Sequence, residues 1–326
     1  MRMPNGNAAP SPPGMVTRPA LKRGRGHETW KKMKNHWRFY LIIFLPLAYI
    51  IIFAYVPMPG ILMAFERFSP SKGLFGSPWV GLKYFEQFFS SPSSVKIIWN
   101  TLAIGVYSLV AGFPFPILLA IGLNEVGSKG FKKTVQMVTY APYFISTVVM
   151  VGMLMQFLDP RIGMINQLTS VFGIEPVNFM GKPKMFRSIY VWSGIWQGTG
   201  YSAIIYLAAL SGVSKELQEA AIVDGASRVK RIWHVDLPAI RSQIVILLIF
   251  SVGSIMNVGY EKVYLMQNSL NASTSEVIST FVYKVGLVNA DYSFSTAVGL
   301  FNSLISIILL TGTNFISKKL TDTGLW

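Results

Sequence analysis

The chain has no cysteine and only three histidines, His27, His36 and His234, among its 326 residues. No disulfide and no thiolate metal site is available, and three imidazoles so widely spaced read as solvated residues rather than as a metal cluster. Charge is also scarce: Asp, Glu, Lys and Arg make up 13% of the chain, whereas a soluble domain carries about 25%. A nucleotide-binding loop is missing. Gly127-Ser128-Lys129-Gly130-Phe131-Lys132-Lys133-Thr134 has glycines and lysines, but no Gly-Lys-Ser/Thr closes a Gly-x-x-x-x-Gly frame and no strand precedes it. It reads as a basic turn. Paired carboxylates, a His-rich cluster and a nucleophile set are likewise lacking at the ends of the apolar stretches. Their absence weighs against a membrane-embedded polysaccharide-modifying enzyme. Gly-rich filter sequences and rings of charge are missing too, which weighs against a passive channel.

What fills the chain instead is apolar sequence, 52% of it. Six runs of 19 or more residues contain no Asp, Glu, Lys or Arg: 39–65, 97–124, 134–158, 188–214, 242–260 and 292–317. A helix needs roughly 20 apolar residues to cross the hydrocarbon core, so each run is long enough to span. The expectation is an all-α membrane protein with six transmembrane helices. The net charge of +15 follows the same plan. With both termini on one side, that side holds 19 of the 29 Lys and Arg. Excess Lys and Arg marks the cytoplasmic face, so both termini and the 211–241 loop are expected inside. The basic balance then reflects topology, and no nucleic-acid partner is expected. Ionisable groups are absent from the runs themselves, which disfavours an ion-coupled transporter.

Residues 1–36 read as a disordered basic cytoplasmic tail followed by an interfacial segment, because Pro4, Pro10, Pro12, Pro13 and Pro19 sit among few large apolar groups. Trp30 and Trp37 would anchor the tail at the lipid surface. No signal-peptide pattern precedes the first run. Residues 37–326 are expected to form one transmembrane domain. Pro46, Pro114, Pro116 and Pro142 should kink or interrupt their spans. The aromatic cluster of Tyr84, Phe85, Phe88 and Phe89 reads as a segment lying on the membrane surface. Asn271-Ala272-Ser273 fits a glycosylation acceptor, a pattern short enough to arise by chance.

The polar stretch from Ser214 to Pro238 stands apart. Ser214 is suited to cap a helix, with Glu216 and Glu219 near its positive end. Gly225 is suited to a left-handed stop. Arg228, Lys230 and Arg231 lie on a second short segment, and Pro238 falls where a new helix would begin. The order Glu219-Ala220-Ala221, Asp224-Gly225-Ala226 and Leu237-Pro238 resembles the EAA loop of binding-protein-dependent ABC importer permeases. A second match lies earlier, in Phe53-Ala54-Tyr55-Val56-Pro57-Met58-Pro59-Gly60, Ala64-Phe65 and Trp79-Val80-Gly81-Leu82 with Phe85, Phe88 and Phe89. These are similar to the first span and external loop of carbohydrate permeases, more narrowly those importing oligosaccharides derived from polysaccharides, alginate among them. Ile232 stands where such permeases commonly have Phe, and Ser242 where a further Pro is common.

The resemblance implies a type I ABC importer permease fold in a bacterial cytoplasmic (inner) membrane. It also implies a second homologous permease, two ATPase subunits and an extracytoplasmic sugar-binding protein as partners, besides membrane lipid. ATP and Mg would sit on the ATPase subunits, and this chain would bind no cofactor. The loop at 211–241 would be the coupling element, with Glu216, Glu219, Ala220, Ala221, Asp224 and Gly225 as its docking residues. The two spans flanking it would line the substrate path. An oligosaccharide offers hydroxyls and apolar ring faces, so Trp192, Trp196, Gln197, Gly198, Tyr201, Ser251, Ser254 and Asn257 are the candidates there. Gly200 joins Gly198 as a position where ligand could approach the backbone.

Overall fold

The computed structural model describes residues 35–326, and the tail and interfacial segment proposed for 1–36 lie, but for Asn35 and His36, outside the described residues. Among the described residues the only strand-like feature is an isolated antiparallel bridge between Glu66 and Trp79. The chain divides into two compact units, Met1–Pro59 and Gly60–Trp326. In the first, a helix over Trp37–Ile50 contains Pro46 and continues as a π-helical turn over Ile51–Tyr55, with no residue buried in either. An apolar helix bare on every side suits a lipid or protein surround rather than water.

In the second unit, Pro92–Gly112 and Pro114–Glu125 form one 34-residue run. Phe113 keeps helical backbone angles and its N–H reaches Leu109 O. Pro114 therefore opens a second leg, where its missing N–H costs nothing, instead of breaking the span. Pro142 marks a true break. Lys129–Phe144 and Thr147–Phe157 meet at 99°, because Ile145 and Ser146 are extended and the Ser146 hydroxyl caps the new helix at Val149 N. The 29-residue helix Pro183–Ser211 is the hub, packed on Pro92–Gly112, Pro114–Glu125 and Lys129–Tyr140. Gly200 makes that last crossing possible. A methyl there would collide with the carbonyl of Thr139, so this glycine serves helix packing rather than ligand approach.

The fifth run departs from a continuous span. Its helix, Arg241–Gly253, stops after 13 residues and is followed by irregular chain before the short helix Tyr260–Met266. Thirteen residues rise about 20 Å, short of the roughly 30 Å core. The last helix, Tyr292–Thr321, packs along Arg241–Gly253 and also against Lys83–Ser90. Three described helical runs, Trp37–Phe65, Pro92–Glu125 and Tyr292–Thr321, are long and apolar enough to cross a membrane, and up to five do so if each bent pair counts once. Pro183–Ser211 is as long, but Gln197, Thr199, Tyr201 and Ser202 dilute its apolar character.

Two surface expectations change. Tyr84 and Phe88 are buried, packed with Ala64, Ile97, Met256, Phe294 and Val298, because Lys83–Ser90 is amphipathic and its apolar face meets the last helix. Only Phe89 of that group is strongly exposed. Asn271 is fully buried, donating to Met180 O and Met266 O and accepting from Asn268 N and Ser275 Oγ. Its amide fastens a loop and is not open to a glycan.

Candidate coupling surface and polar cavity

The loop builds a helix–turn–helix from local signals. Ser214 Oγ accepts from Glu216 N at 3.2 Å and opens the helix Lys215–Val223. That helix ends in a Schellman motif: Gly225 N–H donates to Ile222 O and Ala226 N–H to Ala221 O, with Gly225 at φ 74°. Ser227 then caps Arg228–Arg231, which runs on through a π turn, Ile232–Asp236, into Leu237–Ala239.

Of the sequence candidates, Glu216, Glu219, Ala220, Asp224 and Gly225 are exposed and Ala221 is half-buried. Leu217, Ile222 and Val223 are also exposed on this helix, as are Val229 and Trp233 beyond the turn. An apolar patch held out on a capped, polar helix has the chemistry that suits contact with another surface. These apolar residues were not among the sequence candidates. Their signal was present, since a nine-residue helix that buries nothing has no use for Leu217, Ile222 and Val223 except in contact with something else.

Behind the patch lies a polar cluster. Gln218 Nε2 donates to Asp236 Oδ1 at 2.7 Å, and Arg231 Nη1 donates to Gln218 Oε1 at 3.3 Å. Asp236 is almost fully buried. Burial pushes its carboxyl above the usual carboxylate range, the nearby Glu125 charge adds to this, and Arg231 and Gln218 only partly offset it.

The break after Gly253 opens a cavity of about 470 Å³, lined by Tyr201, Ser251, Ser254 and Asn257 among others. Four of the eight path candidates meet there. Irregular backbone at membrane depth is tolerated where it lines such a cavity, and Gly105 lets the broken segment approach, since a methyl there would strike Ile255 O. Tyr201 stacks face to face on Tyr143, ring centroids 3.8 Å apart. An adjoining cavity of about 370 Å³ takes Gln197 and Gly198. Gln197 also donates to Ile145 O at 2.8 Å, satisfying a carbonyl freed by the 99° bend. Trp192 and Trp196 lie elsewhere, in an apolar groove with Met150, Met153, Leu154 and Phe157. Trp192 Nε1 donates to Tyr107 Oη at 3.0 Å. Both indoles are about half exposed, at 48% and 51%. Lys262, which sequence reasoning passed over, lines the second cavity.

A broken-helix membrane bundle with a polar cavity and an exposed apolar-faced helix is the frame of a transporter permease. Residues 112–322 match the family of binding-protein-dependent transport system inner membrane components, and the chain belongs to that family. It is 42% identical over 308 residues to Protein LplB of Bacillus subtilis (strain 168), covering 94% of this chain and 97% of the relative. It is also 42% identical over 287 residues to the polygalacturonan/rhamnogalacturonan transport system permease protein YteP of the same organism, covering 88% and 89%. A permease chain in the crystal structure of a bacterial alginate ABC transporter, in complex with an alginate pentasaccharide-bound periplasmic protein, superposes with a TM-score of 0.83. That chain is 38% identical, with 91% of this chain and 99% of that one covered. The fold is that of an ABC importer permease. In this family nucleotide hydrolysis belongs to separate subunits.

Proposed function

We propose that this chain is one of two homologous permeases of an importer for polysaccharide-derived oligosaccharides in a bacterial cytoplasmic membrane. An extracytoplasmic binding protein delivers the sugar, and two ATPase subunits carrying ATP and Mg dock inside. The chain crosses the membrane six times with both termini cytoplasmic, Pro183–Ser211 serving as the fourth span. The 19-to-10 basic asymmetry supports that orientation.

The observation that carries the reading is the polar cavity at the break after Gly253. Tyr201 offers a ring face, and Asn257 and the serine hydroxyls offer neutral hydrogen bonds, which is the chemistry a sugar ring wants. The exposed helix Lys215–Val223 supplies the other requirement. Moving a gate from 1:99 to 99:1 takes about 5.5 kcal/mol of differential stabilisation, and a docked helix is the route by which nucleotide binding delivers it. Glu219 contributes a charged contact to the ATPase, while Ala220 and Ala221 permit close approach.

The test is sugar uptake by the assembled complex in proteoliposomes. Tyr201→Ala with Asn257→Ala should lower uptake while leaving affinity for the binding protein unchanged. Unchanged uptake across a range of sugar concentrations would assign the sugar site to the partner permease.

A further inference from the structure

Among the described residues lining the two adjoining cavities, Lys262 is the only charged one. It stands on the short helix Tyr260–Met266, just past the break in the fifth run. Its ammonium donates to Tyr190 O at 3.1 Å and lies 4.9 Å from the centre of the Tyr190 ring. The side chain packs past Gly194, where even a methyl group would sit 3.4 Å from Nζ. Gln197, Thr199 and Ser202 share the cavity wall.

Among the described residues no carboxylate pairs with this charge. The two ion pairs among the described residues are Arg231 with Glu125 and Lys284 with Glu276. An ammonium has three N–H donors, of which Tyr190 O takes one. The ring face and one carbonyl hold it only weakly compared with an anion. Keeping a partly desolvated cation without a counter-charge is costly, and the cost is recovered when an anionic group enters. A path built only for neutral sugar would be better served by an amide or a hydroxyl.

We propose that Lys262, positioned by Tyr190 and flanked by Gln197, is a carboxylate-binding subsite in the translocation path, selecting oligosaccharides of acidic sugars. This rests on the reading of the chain as a sugar permease. The ammonium pairs with a uronate carboxylate as the chain of sugars passes, and Gln197 and Ser202 serve neighbouring hydroxyls. Charge-assisted hydrogen bonds of this kind are roughly twice as strong as neutral ones, so they separate a sugar acid from its uncharged counterpart.

The experiment uses the full complex in proteoliposomes, with its binding protein at saturation. The probes are trigalacturonate and its methyl ester, and the readout is the ratio of their uptake rates. Wild type should favour the acid. Lys262→Met should lower the acid-to-ester ratio about tenfold or more, the effect of one lost charge-assisted hydrogen bond. Lys262→Arg should keep the preference. If Lys262→Met slows acid and ester equally, the lysine is only a peg on Tyr190 and the proposal is overturned. Wild-type uptake of the ester without preference for the acid also overturns it, while the sugar-permease reading stands. Uptake of neither probe, nor of any neutral oligosaccharide, overturns both.

Discussion

Arg231 reaches from the polar loop to the end of the second helical run, its Nη2 3.7 Å from Glu125 Oε2. Glu125 closes the helix Pro114–Glu125, where an acid meets the negative end of the dipole and gains from a nearby cation. Through Gln218, the same guanidinium is tied to both the exposed helix Lys215–Val223 and to Asp236. Pro116 of the Glu125 helix lines both polar cavities. One side chain therefore links the exposed apolar patch to the helix that walls both polar cavities.

Asp236 sets a pH dependence. Its folded-state carboxyl titrates above the usual range because it is buried and faces Glu125. A raised carboxyl favours the protonated form in the folded state, so its stability contribution is full below the ordinary Asp value and is lost as pH rises through the raised one. Asp236→Asn keeps an oxygen to accept from Gln218 and removes the ionisation. Melting of the purified complex should show the variant at least as stable as wild type at neutral pH, with the two converging toward pH 4. A variant less stable than wild type at neutral pH that converges with it in acid would show that the charge is needed by Arg231.

Gly225 holds a left-handed turn that a β-branched residue resists. The Cβ penalty alone is about 1–2 kcal/mol, and the Schellman bonds from Gly225 and Ala226 would loosen with it. Gly225→Val should abolish sugar-stimulated ATP hydrolysis while the membrane helices stay folded by circular dichroism. Normal stimulation would remove the coupling role from this turn.

Two glycines on one helix should behave differently. Gly200→Ala drives a methyl into the Thr139 carbonyl, an overpacking cost of about 1–3 kcal/mol. It should lower the melting temperature and the yield of complex. Gly198 has open space around its Cβ position, so Gly198→Ala should fold normally and act, if at all, on uptake. Equal melting temperatures for the two variants would contradict the close crossing.

What was legible in the sequence was local. Ser214 and Gly225 announce themselves as cap and stop because each needs only its near neighbours, and both do so in the structure. The break after Gly253 was not legible, since the run 242–260 has no charge and no proline, and the helix yields there to tertiary packing against Gly105. The face turned by Trp192 and Trp196 was equally hidden, because sequence spacing does not say which neighbours a helix will have. Arg231 and Glu125 lie over a hundred residues apart, and only the fold brings them together. Lys262 was overlooked for a plainer reason. It follows the fifth uncharged run by two residues, where a lysine reads as a boundary mark until the cavity beside it is seen.

The proposed coupling role of the helix Lys215–Val223 is directly testable because the chain has no cysteine. A benzophenone maleimide attached through Ala220→Cys reports what lies against that helix in the assembled complex, and Phe172→Cys, strongly exposed in the loop at 159–187, serves as the comparison. Illumination should join the Ala220 position to the ATPase subunit and leave the Phe172 position free of it. An ATPase adduct at Phe172, or none at Ala220 in a complex that still hydrolyses ATP in response to sugar, would contradict the account.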